Sequence, residues 1–247
     1  MTPDEQILKL LKQWSPDITN LLERTGYFSL DPLMPKEEIA KAIGLNRGGR
    51  LYNQVLAASK DKNGKIWDIV INEHSLREFK AGAREVAKEF KLVFSPWDWN
   101  SAAQGYFEKD GLAKVKLLTA TDIDSLRNRI QYDFGLEPKA FAQKYAESYS
   151  CSEARLERIK RSETHSAAQA GGWEFANGAD CQFKEWMCTE IDPWPRPSHR
   201  AIWHEIRPIN EPFSNGQQWP QDPNCRCWIK YYIDQDHLDR SAKGPGD

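Results

Sequence analysis

The feature that most constrains the fold is a C-terminal segment that combines tryptophans, prolines, cysteines and histidines. It extends from Lys184 to Ile229 and holds five of the ten tryptophans, three of the five cysteines and two of the five histidines. Strand-like runs at 185–191, 201–209 and 228–233 are separated by Pro-containing loops and by a tight turn, DPNCRC, at 222–227. This order predicts a small antiparallel β module whose loops carry the unusual side chains.

The charge balance and the cysteine count exclude several classes of protein. Lysine and arginine number 34 against 36 acidic residues, whereas duplex-binding proteins usually have a basic excess. Every apolar run is shorter than the ~18 residues that span a bilayer, so we expect no membrane partner. The start MTPDEQILKL lacks the features of a secretory signal, and five cysteines are an odd number for a disulfide framework. We therefore expect folding in a reducing cytoplasm.

Helical periodicity dominates the chain before this segment. The clearest helix covers 152–176, where an amphipathic half is followed by small residues that allow close packing against the next element. Further helices are predicted at 4–24, 36–43, 51–59, 75–90, 123–134 and 138–149. A break is predicted at Ser15–Pro16, a turn at Asp61–Gly64 and a helix N-cap at Thr119–Asp122. The run 66–71 fits either a strand or a buried link.

The motif order in the second half of the chain resembles the phage Mu protein F-like minor head proteins, the head morphogenesis family of tailed phages. The motifs are R-x-E-T on the long helix, then K-E-W, D-x-x-x-R-x-x-H and P-x-D-P-N-C-R-C. They are carried by Arg161, Glu163, Thr164, Lys184–Trp186, Asp192, Arg196, His199, Phe213 and Pro220–Cys227. The resemblance covers roughly 114–233, and the NCRC turn is its most specific part.

This resemblance implies a virion component present in few copies. It would lie inside the head near the portal, with the portal protein or the major capsid protein as partner and packaged DNA as a further contact. The family role is in head assembly and in the fate of packaged DNA, which includes ejection. We therefore expect a structural protein rather than an enzyme, present in the host cytoplasm during assembly.

The predicted fold class is α+β. A mostly helical N-terminal and middle region and one long helix precede the small C-terminal antiparallel β module. We assign 1–110 to a helical region of unknown fold, 111–235 to the Mu F-like domain and 236–247 to a disordered tail. The structural motif consists of Glu163, Trp186, Asp192, Arg196, His199, Asn224, Cys225, Arg226 and Cys227.

The cysteines and histidines of the module leave several chemical interpretations open. His199, Cys225 and Cys227 could bind zinc, with His204 or Cys188 as a fourth ligand, although C-x-C is tighter than the usual zinc spacing. The two thiols could instead form a disulfide or pack without a ligand. Cys225 as a nucleophile with His199 as its base would make a thiol hydrolase.

Asp192, Arg196 and His199 lie in one predicted loop. Asp192 could orient His199 as a general base while Arg196 binds an anion. We favour a structural role, in which Arg196 forks onto Asp192 or Glu163 and His199 satisfies a buried carbonyl. Glu163 is expected to face the β module, where it pairs with Arg196 or accepts backbone N–H groups. His165, two residues further along the helix, is expected to be exposed.

Three functions stay open at this point. The favoured one is a structural minor head protein. The second is a metal- or thiol-dependent hydrolase built from His199 and Cys225 or Cys227, which bound zinc or a thiol-sensitive activity would support. The third is an internal virion protein that contacts DNA, for which salt-dependent DNA binding is the discriminating observation.

Overall fold

The computed structural model describes residues 1–31, 33–95, 99–148, 151–189 and 195–242. It confirms the α+β class, because helices form most of the chain and a small antiparallel sheet lies near the C-terminus. The helices are α1 (Pro3–Glu23), α2 (Lys36–Ala42), α3 (Arg50–Val70), α4 (Leu76–Glu89), α5 (Trp99–Tyr132), α6 (Pro138–Ala146), α7 (Glu153–Gly178), α8 (Pro197–Arg200) and α9 (Gln235–Ala242). The strands are β1 (Phe183–Met187), β2 (Ile206–Pro208) and β3 (Trp228–Tyr232).

Two compact units divide the chain, and each is made of two segments. Unit 1 consists of Met1–Val70 and Lys109–Glu157, and unit 2 consists of Ile71–Glu108 and Arg158–Asp247. The boundary predicted at residue 110 falls inside α5, close to the point where this helix passes from unit 2 to unit 1. The assignment of 1–110 and 111–235 to separate domains stays a prediction.

Helix α1 supplies one face of the core of unit 1. It begins with a capping box, in which Thr2 Oγ1 accepts the Glu5 N–H at 3.2 Å and Glu5 Oε2 accepts the Thr2 N–H at 2.7 Å. Its buried stripe packs against α3 and α6, and it includes Trp14 and Ile18. The stripe continues on both sides of Pro16, so the predicted break at Ser15–Pro16 is wrong. Burial of the helix face outweighs the hydrogen bond that proline removes.

Two stretches that look like turn and cap signals lie inside long helices of unit 1. The predicted turn at Asp61–Gly64 belongs to α3, and the predicted N-cap at Thr119–Asp122 belongs to α5. Their polar side chains bond to each other. Asn63 Nδ2 donates to Asp122 Oδ2 at 2.8 Å, and Lys62 Nζ lies 2.7 Å from the same oxygen. Partners distant in sequence therefore hold both stretches in helical form.

The run 66–71 is helical rather than a strand. Residues 66–70 end α3, and Ile71–Ser75 forms a π-helical turn before α4. Ile66, Trp67 and Val70 are buried. Their spacing places them on one helix face, which explains why a mostly apolar run resembles a strand in sequence.

In unit 2, α4 and the second half of α7 make a close helix crossing. A methyl group added to Gly171 would lie 1.9 Å from the Phe79 carbonyl oxygen, and one added to Gly82 would lie 1.8 Å from the Ala168 carbonyl oxygen. Only glycine allows the two backbones to approach this closely. The predicted helix at 152–176 and its close-packed small residues are thus confirmed, but they pack against α4, which precedes α7, and not against the next element of the chain.

The sheet of unit 2 has β1 in the centre, in the order β2-β1-β3 with both pairs antiparallel. Trp186 in β1 is completely buried, and its ring meets the ring of Phe213 edge to face at a centroid distance of 5.1 Å. Met187 pairs with Trp228 at the end of the β1–β3 ladder. This register places Cys188 opposite Cys227, just beyond the last pair.

Residues 236–242, assigned above to a disordered tail, instead form most of helix α9. Asp234 Oδ1 accepts the His237 N–H at 2.7 Å, which caps the helix. The His237 ring lies 5.5 Å from the Tyr232 ring and 6.0 Å from the Phe90 ring. A cap and two aromatic contacts therefore order a polar segment, while residues 243–247 lie outside the described part of the chain.

Candidate functional site

Three segments of unit 2 bring four sulfur and nitrogen groups together. Cys188 follows β1, His199 lies on α8, and Cys225 and Cys227 lie in the turn before β3. Pro197 starts α8 at a position where its missing N–H costs nothing, and the short helix turns the imidazole inward. All four side chains are buried, and His199 is only 2% exposed.

The distances within this group are short. His199 Nδ1 lies 3.4 Å from Cys225 Sγ and 3.6 Å from Cys227 Sγ, and Cys188 Sγ lies 3.3 Å from Cys227 Sγ. The ligand atoms of His199, Cys225 and Cys227 all lie within 4.8 Å of one another. The Cys227 N–H donates to Cys225 Sγ at 3.4 Å. The structure therefore brings together the three residues predicted as a metal site and adds Cys188.

Asp222 fixes the orientation of the His199 ring. Its Oδ2 lies 2.8 Å from His199 Nε2, so the side of the ring that faces the sulfurs is Nδ1. Burial opposes protonation of the ring, but hydrogen bonds to Asp222 and Cys225 raise the pKa of His199 to about 9. The hydrogen bond from His199 lowers the pKa of Asp222 to about 2. The predicted partner of His199 was a buried carbonyl, and the structure replaces it with this carboxylate.

Arg196 also binds Asp222. Its Nη1 lies 2.9 Å from Asp222 Oδ2, and its Nη2 donates to the Pro223 carbonyl oxygen at 2.5 Å. The guanidinium thus joins the start of α8 to the DPNCRC turn, as a fork but with different partners from the expected ones. Asp192, the predicted orienting carboxylate, lies outside the described residues. Asp222 takes the position on His199 that was expected for Asp192.

The DPNCRC turn is attached to helix α7 through its asparagine. Asn224 adopts a left-handed conformation with φ of 59°, which asparagine tolerates better than most residues. Its N–H donates to Ser162 Oγ at 2.9 Å, and its Oδ1 accepts from Arg161 Nη2 at 2.6 Å. Arg226 is exposed between the two buried cysteines. The most specific motif of the sequence is therefore a docking turn on the long helix.

Glu163 and His165 both contribute to this side of α7. Glu163 is buried, with 6% exposure, while its contact with the β module and its pairing with Arg196 stay predictions. His165 is half-buried, and its Nε2 lies 2.9 Å from the Cys227 carbonyl oxygen. The expectation that His165 is exposed is wrong, because the turn reaches over the helix and offers it an acceptor.

His204, the alternative fourth ligand, takes part in another contact. Its Nδ1 lies 2.7 Å from Glu185 Oε1, and its side chain is 58% exposed. Tyr232 donates its hydroxyl to the other oxygen of Glu185. Backbone bonds explain the position of His204, since its N–H donates to the Trp186 carbonyl and its φ is 63°. Of the two candidate fourth ligands, Cys188 is therefore the one that contacts the group formed by His199, Cys225 and Cys227.

Three residues of the module were given no individual role from the sequence, although Lys184 and Asp222 lie within its family motifs. Lys184 is completely buried, and its Nζ donates to the Gln218 carbonyl at 3.2 Å and to the side-chain oxygen of the same residue. Gln217 Nε2 donates to Asp222 Oδ1 at 2.9 Å. Asp222 could have been found from the sequence as the only acid inside the DPNCRC turn. The partners of Lys184 and Gln217 could not be inferred from the sequence, because they depend on loop geometry.

The thiols of the turn titrate as a pair. The hydrogen bond between Cys225 and Cys227 lowers the pKa of Cys225 and raises the pKa of Cys227. The Cys225 thiol therefore loses its proton more easily than the Cys227 thiol, and it lies beside the His199 ring. Such a pair can bind a soft cation, or it can act as a nucleophile where a substrate reaches it. Cys225 is 8% exposed and Cys227 is 4% exposed, which favours the first role.

Comparison with known families agrees with the resemblance inferred from the sequence. Residues 128–230, somewhat less than half of the chain, match the family model described as phage Mu protein F like protein. The matched segment includes α6, α7, β1, β2, the DPNCRC turn and the first three residues of β3. No curated protein and no solved structure matches the chain. The family match indicates a phage head-related protein, and among the described residues no helix is long and apolar enough to cross a bilayer.

Proposed function

Because residues 128–230 are a phage Mu protein F like segment, we propose that this chain is a structural minor protein of a tailed-phage head. It docks inside the head near the portal, on the portal protein, the major capsid protein or both. There it acts in head assembly, in DNA ejection or in both steps. The family match is the observation that carries this proposal.

The architecture of the matched segment supports attachment. Its sheet is small, and most of its loop backbone lies outside ladder pairing. Side chains provide the missing connections: Arg196 and His199 converge on Asp222, and Asn224 binds α7. A surface that is rigid before binding loses less conformational entropy when a partner docks. The polar contacts therefore favour a preformed attachment module.

Burial weighs against the hydrolase alternative. An attacking thiolate must come within about 3 Å of the substrate carbon, and its base must keep contact with it. His199 is 2% exposed and Cys225 is 8% exposed, so a substrate would have to displace the surrounding loops. The Trp186 ring meets the His199 ring at a centroid distance of 5.1 Å and restricts that movement. A structural role for His199 and Cys225 does not require the surrounding loops to move.

Charge weighs against DNA as the main partner. The chain has a net charge of −2, and nonspecific DNA affinity comes mainly from neutralised phosphates. Contact with packaged DNA would then be secondary to contact with capsid-related proteins. Affinity for duplex DNA that falls steeply as the salt concentration rises would instead indicate that DNA is the main partner.

Cryo-electron microscopy of intact particles tests the proposal directly. Particles assembled with the chain are reconstructed with symmetry relaxed at the portal vertex. We expect density that fits α7 and the sheet against the portal or the adjacent capsid subunits. Density for the chain elsewhere in the particle, or enzymatic turnover by the purified chain with no assembly defect on deletion, contradicts the proposal.

Deletion and complementation supply the control. Loss of the chain should reduce the yield of DNA-filled heads, and the wild-type chain supplied in trans should restore it. A chain with Asp61→Asn, a substitution at a 70% exposed carboxylate of unit 1, should restore it equally. A chain truncated before residue 128 lacks the family segment and should not.

A further inference from the structure

We propose that Cys188, His199, Cys225 and Cys227 bind one zinc ion through three sulfurs and the Nδ1 nitrogen. The ion would join the end of β1, helix α8 and the DPNCRC turn. Sulfur and imidazole ligands in a set of four are the donors of structural zinc sites. The site does not depend on the role of the chain in the phage head.

The donor atoms of His199, Cys225 and Cys227 lie within 4.8 Å of one another, as a tetrahedral ion requires, and Cys188 joins this group through its contact with Cys227. Zinc bonds of about 2.3 Å to sulfur and about 2.0–2.1 Å to nitrogen give donor separations of about 3.8 Å between sulfurs and about 3.6 Å between sulfur and nitrogen. His199 Nδ1 lies 3.4 Å from Cys225 Sγ and 3.6 Å from Cys227 Sγ. The Cys188 and Cys227 sulfurs, at 3.3 Å, need to separate by a few tenths of an ångström.

The imidazole is already oriented for a metal. Zinc-binding histidines usually donate their second ring N–H to a carboxylate, which fixes the tautomer and the ring plane. Asp222 Oδ2 lies 2.8 Å from His199 Nε2, and Arg196 Nη1 and Gln217 Nε2 in turn bind the Asp222 carboxylate at 2.9 Å each. Nδ1 points at the sulfurs, and on binding an ion it would give up any proton and supply its lone pair. The hydrogen bonds around His199 are therefore those of a zinc-binding histidine whose ring is fixed by a carboxylate.

Burial and chain placement indicate a structural ion. All four ligands are nearly inaccessible, which leaves no open coordination position of the kind that a catalytic zinc keeps for water. The sheet that they join has strands of five, three and five residues. An ion that joins such short strands to the surrounding loops contributes its binding free energy to folding.

A disulfide is the competing arrangement of the same residues. The Cys188 and Cys227 sulfurs, at 3.3 Å, are farther apart than the ~2.05 Å of a bond between them. A disulfide would also leave Cys225 and His199 Nδ1 buried and facing each other without an ion. Zinc uses all four donors, so it accounts for more of the geometry.

Metal content of the intact chain tests the proposal. The full chain is purified under reducing conditions, dialysed against metal-free buffer and analysed for zinc and for protein concentration. We expect one zinc per chain, and after exchange with cobalt we expect the absorption bands of tetrahedral cobalt–thiolate coordination. A folded, reduced chain with less than a tenth of an equivalent of zinc and no cobalt–thiolate bands overturns the proposal, as does a Cys188–Cys227 disulfide that persists in reductant.

Substitutions assign the ligands. Cys188→Ser, Cys225→Ser and His199→Ala should each lose the bound ion, whereas His199→Cys keeps four donors and should retain it. Cys181→Ser is the matched control, because Cys181 is equally buried but precedes β1, at the end of the strand opposite to Cys188. Asp222→Asn should weaken zinc binding by about 10–100-fold, the usual effect of removing a supporting hydrogen bond.

These variants also separate the ligand assignments. Retention of one zinc with unchanged affinity in Cys188→Ser would overturn the four-ligand site. Loss of zinc in Cys181→Ser would show that the ion binds elsewhere. If a variant fails to fold, the zinc stoichiometry and the cobalt spectrum of the wild-type chain decide the question.

Discussion

The Asp122 carboxylate lies completely buried between two cations in unit 1. Its Oδ2 lies 2.7 Å from Lys62 Nζ and accepts from Ser59 Oγ at 2.7 Å, and its Oδ1 binds the Arg155 guanidinium. Burial opposes its ionisation, but the charges of Lys62 and Arg155 outweigh burial and lower the pKa of Asp122. The carboxylate thus compensates the charges of two buried cations.

Replacement of Asp122 by asparagine should strongly destabilise the chain. The substitution keeps the shape but removes the negative charge that Lys62 and Arg155 both contact, and breaking a buried ion pair in this way typically costs about 3–5 kcal/mol. Urea unfolding measures the loss. Asp61→Asn removes an exposed carboxylate from its ion pair with Lys65 and should change stability by less than about 0.5 kcal/mol. Equal losses in the two variants would contradict the structural role of the buried cluster.

Lys184 links the stability of unit 2 to pH. Burial lowers its pKa from 10.5 to about 8, and its neighbours are the Gln218 oxygens and the Phe213 ring. Between these two values the unfolded chain binds a proton that the folded chain does not. This residue therefore makes stability rise with pH from about 8 to about 10, by a total on the order of 3 kcal/mol.

Lys184→Met should remove this rise. Urea unfolding of the wild type and the variant is compared across that pH range, and the difference isolates Lys184 from other groups that titrate there. The same substitution at Lys65, which is 58% exposed, should leave the wild-type slope unchanged. If the unfolding free energy of Lys184→Met rises with pH as steeply as that of the wild type, the buried lysine keeps its proton in the folded chain.

At the level of elements, the crossing of α4 and α7 is the contact that tolerates the least added volume. Gly171→Ala would place a methyl group 1.9 Å from the Phe79 carbonyl oxygen, which is backbone and cannot rotate away. We expect a loss of about 1–3 kcal/mol from overpacking. Thermal or urea unfolding measures it.

Gly105→Ala is the matched control. Gly105 also lies inside a helix of unit 2, but an added methyl group there meets no atom within 4 Å. Alanine should stabilise that helix by about 0.5–1 kcal/mol because it restricts the unfolded chain. Stabilisation of both variants would show that the two helices separate easily.

Element type could be predicted from the sequence wherever local chemistry decides it. The 152–176 periodicity predicts α7, Pro138 starts α6, and the run after the NCRC turn predicts β3. The predictions fail where polar residues have partners far away in sequence. Asn63 and Asp122 are separated by 59 positions, so neither could be distinguished from a turn or a cap by its neighbours alone.

Most residues of the site could be predicted from the sequence, but their spatial arrangement could not. His199, Cys225 and Cys227 stand out in the sequence, and they do converge. The fourth group was ambiguous, because Cys188 and His204 both flank the first strands. Only the β1–β3 register brings Cys188 to Cys227, and the left-handed backbone of His204 leads its ring to Glu185. Register and loop conformation are long-range properties that one sequence does not reveal.

At the level of the whole molecule, each unit has its own hydrophobic core. Phe141 belongs to the core of unit 1 and is fully buried, and Phe213 belongs to the core of unit 2 and is 2% exposed. The two clusters have no residue in common. A defect in one core should therefore promote opening of that unit before it affects the other.

Phe141→Leu and Phe213→Leu form a matched pair that tests this expectation. Each should cost ~1–2 kcal/mol, between the usual losses for smaller and larger truncations of buried side chains. Hydrogen exchange measured by mass spectrometry locates the effect. Phe141→Leu should accelerate exchange in α1 more than in β1, and Phe213→Leu should do the reverse. Equal acceleration of both elements in both variants would mean that the chain opens only as a whole, because local opening is then always more costly than global unfolding.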